Sequence, residues 1–184
     1  MHIADMTVSG VSFTADLSGA LYWDDERLLV VSDLHLEKGS SFAMRGVLLP
    51  PHDTTETLAR LDAVIARYRP RAVIALGDSF HDREAHDRLS AAHRATLARL
   101  QAGRDWIWIV GNHDSAIGNP CGGVVIDEAV VDGLGLRHEA DRRDPRPELS
   151  GHFHPKLRVR VRGRLVSRRC FIATESKLIL PAFG

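Results

Sequence analysis

Ala72-Val73-Ile74-Ala75-Leu76-Gly77-Asp78 is a continuous apolar run of strand length that stops abruptly on a glycine and a carboxylate. It shows no polar alternation, so a strand built from it is buried on both faces, as in a parallel sheet covered on both sides. The pattern recurs upstream, where Arg27 to Ser32 runs into Asp33-Leu34-His35, and downstream, where Trp106 to Val110 runs into Gly111-Asn112-His113-Asp114. Three apolar strands therefore end in ligand-type residues. In an open α/β sheet, the carboxyl ends of the strands are where loops aim side chains at one point.

The intervening segments read as helices. Asp53 with Glu56 forms a capping-box pattern, Leu58, Leu61, Val64, Ile65 and Tyr68 mark one helical face, and Pro70 closes the helix. A second helix is expected from about Arg83 to Leu100, with Leu89, Leu97 and Leu100 inward. Before the first motif, Thr7 to Phe13 and Gly19 to Trp23 are expected to be extended, with a turn at Asp24-Asp25-Glu26. Beyond the third motif the chain reads as strand-rich: Val124 to Ile126, Val130 to Arg137, Leu149 to Ser150, Leu157 to Val161, Arg164 to Ser167, Phe171 to Thr174 and Leu178 to Leu180. Arg162-Gly163 is the expected hairpin turn. The charged stretch from Glu139 to Glu148, with Ala140 its only apolar residue, predicts a mobile surface loop.

At 184 residues, with no internal repeat or linker, the chain suits one domain spanning residues 1–184. A composition of 44% hydrophobic and 26% charged residues excludes disordered and collagen-like classes. No apolar run approaches the ~20 residues that span a bilayer, and the start lacks a signal-like pattern, so a cytoplasmic location without membrane contact is expected. Cys121 and Cys170 fit no metal-ligand spacing and are expected as free buried thiols. A net charge of zero argues against a surface that is basic all over, while leaving local patches open. Ten histidines are the unusual count, and they invite a search for metal ligands.

Taken singly, each motif is weak. A Gly-Asp after a strand is often a plain turn, and a lone histidine is more often a satisfied core or surface residue than a ligand. The joint pattern is different. Asp33-x-His35, Gly77-Asp78, Gly111-Asn112-His113-Asp114 and Gly151-His152-Phe153-His154 follow one another in order, three of them at strand ends. Carboxylate, imidazole and amide donors together suit first-row divalent metals, and two such ions can clamp both oxygens of an in-line phosphoryl displacement.

From Ser32 to His154 these motifs resemble the calcineurin-like metallophosphoesterase superfamily. The resemblance implies an α/β fold, a four-layer αββα sandwich with two central mixed sheets. It implies that Asp33, His35 and His154 hold a first divalent ion, that Asp78 bridges, and that Asn112, His138 and His152 complete a second. His138 is selected by its position between the third and last motifs. His113 would face the substrate, where it could either protonate the leaving alkoxide or stabilise the phosphorane charge, with Asp114 a candidate to orient its ring. His81 and Asp82 follow Asp78 closely enough to reach the substrate, whereas solvent exposure accounts for His52, His86 and His93.

The superfamily leaves the substrate open. Lys156 to Arg164 alternates basic and apolar residues with strand period, which gives Arg158 and Arg160 one basic face suited to a phosphate backbone or, equally, to plain solvation. A longer resemblance bears on the choice. Leu34 to Phe42, Leu49-Pro50-Pro51, Ala75 to Asp82 and Leu180 to Gly184 look like the bacterial ligase-associated DNA damage response endonucleases, although that family usually continues past the Pro-Ala-Phe-Gly segment. This resemblance implies a manganese-dependent endonuclease acting on single-stranded DNA, with a DNA ligase and a helicase as partners in repair. The donor set itself accepts Mn, Fe, Zn or Ni. A phosphatase or phosphodiesterase for small esters, and a metal-binding repair scaffold without catalysis, are the alternative readings.

Overall fold

In the computed structural model, which describes residues 3–47, 52–113 and 122–184, two apolar layers organise the chain. Strands β1 (Ile3–Val8), β2 (Val11–Asp16), β3 (Leu21–Trp23) and β4 (Leu28–Val31) form an antiparallel meander. Strands β5 (Ala72–Leu76), β6 (Asp105–Ile109) and β7 (Val124–Ile126) extend it in parallel, giving a seven-stranded mixed sheet in the order β1 to β7. The second sheet is built from β8 (Ala129–Val131), β9 (Leu134–Leu136), β10 (Glu148–Ser150), β13 (Ile172–Ala173) and β14 (Lys177–Ile179), in the order β13-β14-β10-β9-β8. It is also mixed, because β10 runs parallel to both its neighbours while the outer pairs are antiparallel. A separate two-stranded ribbon, β11 (Lys156–Val161) with β12 (Arg164–Arg169), projects from it.

The central parallel strands divide their residues between the two layers. Leu29, Val31, Val73, Ala75, Trp106 and Trp108 pack with Leu58, Leu61, Val64, Leu97 and Leu100 of helices α2 (Asp53–Tyr68) and α4 (Ala91–Gln101). The alternate residues Leu28, Val30, Ile74, Leu76 and Ile109 pack with Leu134, Leu136, Leu149, Leu178 and Leu180 of the second sheet. Both faces are thus buried, which is why these strands read as unbroken apolar runs.

Several expected boundaries shift for local reasons. Thr7 to Phe13 is a hairpin: Ser9 and Gly10 both adopt positive φ, as a type I′ turn requires. Asp132 and Gly133 do the same inside Val130 to Arg137 and separate β8 from β9, while Arg162-Gly163 turns as expected. The second helix is broken into α3 (Ala85–Arg88) and α4. Leu89 turns extended to bury its side chain, and Ser90 caps α4 by accepting from the His93 N–H at 3.1 Å. The loop after His35 contains a short helix α1 (Lys38–Met44) that periodicity did not signal. The capping box at α2 does not form. His52 is the cap residue, and the Asp53 carboxylate instead accepts from the Gly39 N–H of α1 at 2.8 Å.

The segment expected to be a mobile loop is pinned by charge. Arg137 lies 2.6 Å from Asp144, 3.1 Å from Glu128 and 3.5 Å from Glu148, which is only 1% exposed. Lys177 reaches Glu148 at 3.2 Å and donates to the carbonyls of Asp141 and Asp144. The cluster joins β10 and β14 of the small sheet through Glu148 and Lys177, whereas α2, α3 and α4 pack on the large one. Cys170 is a free, half-buried thiol, and Cys121 and the Leu49-Pro50-Pro51 stretch lie outside the described residues.

Candidate metal centre

Where β4 and β5 end, their loops stay tied together. The Asp33 N–H donates to the Gly77 carbonyl at 3.2 Å and the His35 N–H to the Asp78 carbonyl at 3.0 Å. Asp33, His35 and Asp78 adopt left-handed φ values of 53°, 46° and 47°, and His152 and His154, beyond β10, have 68° and 45°. L-residues with side chains rarely sit there, and such backbone strain gathers where the surroundings over-determine a functional geometry.

Two glycines let the sheets approach. A Cβ on Gly151 would lie 1.7 Å from Ser32 Oγ, and one on Gly77 would lie 2.5 Å from His138 Nδ1. Any side chain at either position would force the two loop systems apart. With glycine at 151, the His152 N–H donates to Asp33 Oδ2 at 3.0 Å, and the Ser32 hydroxyl donates to the same oxygen at 2.6 Å. The last residues complete the support: the Phe183 N–H donates to the Ser32 carbonyl at 2.8 Å and the Gly184 N–H to the Asp33 carbonyl at 3.1 Å. Arg60 and Arg169 both donate to the Phe183 carbonyl. Ser32 and this C-terminal clamp were not singled out by motif reasoning, since their role depends on contacts across the chain.

Two groups of ligand atoms result, each with its members within 4.8 Å of one another: Asp33, His35 and His154, and Asp78, His138 and His152. His35 Nε2 and His154 Nε2 are 3.2 Å apart, and His154 Nε2 lies 3.0 Å from Asp33 Oδ1. Among the described residues that buried oxygen has the His154 ring at 3.0 Å but no hydrogen bond of good geometry, which is how a carboxylate aimed at a cation is left when only protein atoms surround it. In the second group His138 Nε2 is 3.4 Å from Asp78 Oδ2 and 3.1 Å from His152 Nδ1. His138 Nδ1 faces the Leu76 carbonyl at 2.8 Å, so the neutral ring keeps its proton on Nδ1 and an ion replaces the proton on Nε2 when it binds. Asn112 Nδ2 sits 3.3 Å from His152 Nδ1, which brings the amide to the same group. The donor set and the orphaned carboxylate oxygen fit two divalent ions.

Electrostatics follow the geometry. Burial works against the charged form of Asp78, but hydrogen bonds from His138 and the His113 N–H, with the nearby imidazoles, hold it at about 2. Burial also opposes protonation of His138, yet its bonds to Asp78 and the Leu76 carbonyl lift it to about 8. His35 is pushed down to about 4, chiefly by burial.

The model of the calcineurin-like phosphoesterase family matches residues 26–162. The chain belongs to that family. Among solved structures, the crystal structure of Pseudomonas putida nuclease MPE aligns with a TM-score of 0.82 at 32% sequence identity, covering 100% of this chain and 88% of that one. No curated protein matches the chain.

Around the phosphoesterase centre, the remaining candidates separate. His113 donates its backbone N–H to Asp78 Oδ1 at 2.9 Å, and its half-exposed ring lies 5.9 Å from that of His35 and nearly parallel to His81 at 5.8 Å. His81 therefore lines the site. Asp82 does not point into it: its carboxylate is engaged by Arg88 at 2.6 Å and by the Glu84 N–H, and although burial works against its charge, these bonds hold it at about 2. Arg158 and Arg160 are exposed on β11, on the same face as Lys156 and, across the ribbon, Arg169. Asp114 lies outside the described residues. Among those described, no helix is long and apolar enough to cross a membrane.

Proposed function

We propose that this phosphoesterase cleaves nucleic-acid phosphodiester bonds, single-stranded DNA for preference, as a manganese-loaded endonuclease of DNA repair, with a DNA ligase and a helicase as partners. The observation that carries the reading is the pair of Asp/His groups at the seam of the two sheets, from which the basic face of β11 departs only two residues after His154. Similarity to a nuclease supports it.

Asp33, His35 and His154 would hold one ion; Asn112, His138 and His152 the other; Asp78 would serve both. When bound, the ions supply activation of water and neutralisation of the phosphoryl oxygens. The chain's own residues do the rest. Asp78 stays ionised at any working pH, since it titrates at about 2. His113, placed by its backbone bond to Asp78, would protonate the departing alkoxide or stabilise the charge on phosphorus from its half-exposed ring. His81 lies nearly parallel to His113 at 5.8 Å on the substrate side of the centre. Arg158 and Arg160 hold flanking phosphates. Water adds to phosphorus, the P–O bond to the leaving sugar breaks, and the products are a phosphomonoester end and a hydroxyl end.

The test is incubation with labelled single-stranded DNA, duplex DNA and a chromogenic diester across Mn, Fe, Zn, Ni and Mg, with Asn112→Ala as control. Steep loss of DNA cleavage with rising salt is expected, because backbone binding releases counterions. Cleavage of the chromogenic diester without any action on DNA, insensitive to salt, would establish the small-ester reading instead.

A further inference from the structure

At the end of the large sheet opposite the metal centre, a cavity of about 630 Å³ is lined by Arg27, Arg69, Arg71, Arg99 and Arg104, and Asp62 is the one carboxylate among the described residues of its walls. Three of these arginines immediately precede or enter parallel strands: Arg27 before β4, Arg71 before β5, Arg104 before β6. The backbone holds these entries level, since the Arg71 N–H donates to the Arg27 carbonyl at 2.8 Å and the Asp105 N–H to the Arg71 carbonyl at 3.0 Å.

Part of this charge has a structural use. Arg99 pairs with Asp62 through two bonds of 2.9 and 3.0 Å. Arg27 donates to the Arg69 carbonyl at 3.2 Å and Arg104 donates to the Leu100 carbonyl, so both guanidinium groups sit at helix C-termini, where cations are favoured. Arg69 and Arg71 are different. Among the described residues neither side chain makes a hydrogen bond or an ion pair, and both are exposed to the cavity.

Arg69 also stands where arginine is locally unfavourable. It closes α2 with φ 48°, a left-handed helix end that glycine occupies without strain and that other residues adopt less readily. Arg27, on the facing wall, has φ 47°. Arg27 takes its φ from the hairpin turn between β3 and β4, where its N–H donates to the Asp24 carbonyl at 2.9 Å, so what bears on a ligand is the two unpaired guanidinium groups of Arg69 and Arg71 in a cavity that holds three more.

We propose that this cavity binds an oligophosphate: two or three directly linked phosphates, as carried by a free nucleoside triphosphate. Its volume lies within the ~300–1,000 Å³ of ligand sites, and its guanidinium walls offer the paired donors that phosphate oxygens accept. The site is remote from the metal ligands and does not depend on the substrate proposed above.

Calorimetric titration of the metal-loaded protein with inorganic triphosphate, in magnesium-containing low-salt buffer, tests it. Wild type binds, and Arg71→Ala and Arg69→Gly each weaken binding about tenfold, the loss expected for one charge-assisted contact. Arg69→Gly is the discriminating variant: glycine relieves the left-handed strain, so it unfolds at the same or a higher urea concentration while losing affinity. A nucleoside triphosphate should displace the triphosphate and oligothymidylate should not; displacement by oligothymidylate instead would show a strand-binding groove and overturn the proposal. Absence of binding to wild type, or unchanged affinity in both variants, would overturn the proposal. So would an Arg69→Gly protein that is destabilised but binds normally, because Arg69 would then be structural.

Discussion

At the carboxyl ends of β4 and β5 the chain places Asp33, His35 and Asp78; at the entering ends of β4, β5 and β6 it places Arg27, Arg71 and Arg104. Both ends hold side chains in left-handed backbone, near 50° in φ, and they differ in how the charge is answered. Asp33 and Asp78 are buried and hydrogen-bonded from several directions, so the surrounding fold dictates where they point. Among the described residues, Arg69 and Arg71 are exposed and their side chains have no partner. The lesson is that strain alone does not identify a site. Arg162 has φ 48° because a hairpin turn demands it. Strain informs when the side chain it carries faces a shared space.

The comparison can be broken most sharply at the acidic end. Asp33→Asn and Asp78→Asn should each lower diester hydrolysis on the order of a thousandfold while the fold persists, because about 4 kcal/mol of charge stabilisation at the reacting phosphate depends on a held ion. Single-turnover assays with metal content measured in parallel check this; near-normal rates in a metal-poor variant would defeat the ligand assignment. A second charged cluster offers a contrast with the unpaired arginines. Arg137→Ala leaves Glu148 buried with one partner fewer and should destabilise the protein by about 3 kcal/mol in urea unfolding, and Glu148→Gln in the same background should recover part of the loss. Arg71→Ala, by comparison, should hardly change stability.

The smallest effect is expected at Asp82. Its carboxyl is held at about 2, below the ordinary value near ~3.9, so its ion pair with Arg88 adds stability above about pH 4 and loses it as the pH falls toward 2. The pair is partly exposed, so the contribution is under about 1 kcal/mol. Stability curves of wild type and Arg88→Ala should converge below that window and separate above it; parallel curves would show that the pair contributes nothing.

Much of the acidic end was legible because its residues come in short runs after apolar strands. Asp33 with His35, and His152 with His154, are read together since only one residue separates them. His138 has no such neighbour, and it joins the site because β9 lies beside β10 and ends at the same level. Ser9-Gly10 and Asp132-Gly133 were hidden by apolar residues on both sides, whereas Arg162-Gly163 stood out in a polar stretch. The break at Leu89-Ser90 was hidden for another reason: serine is tolerated inside helices, and only the burial of Leu89 makes it a cap. The arginine cavity was illegible altogether, because its members are scattered and meet only when three strands align in register.

Each ligand group draws from both sheets: His154 and His152 follow β10 of the small sheet, while Asp33, His35 and Asp78 follow strands of the large one. Ions held there would act as rivets through the seam of the sandwich. A chelated or poorly loaded molecule should part along that seam more readily, and protease susceptibility would then grade metal occupancy in a sample whose turnover has never been assayed.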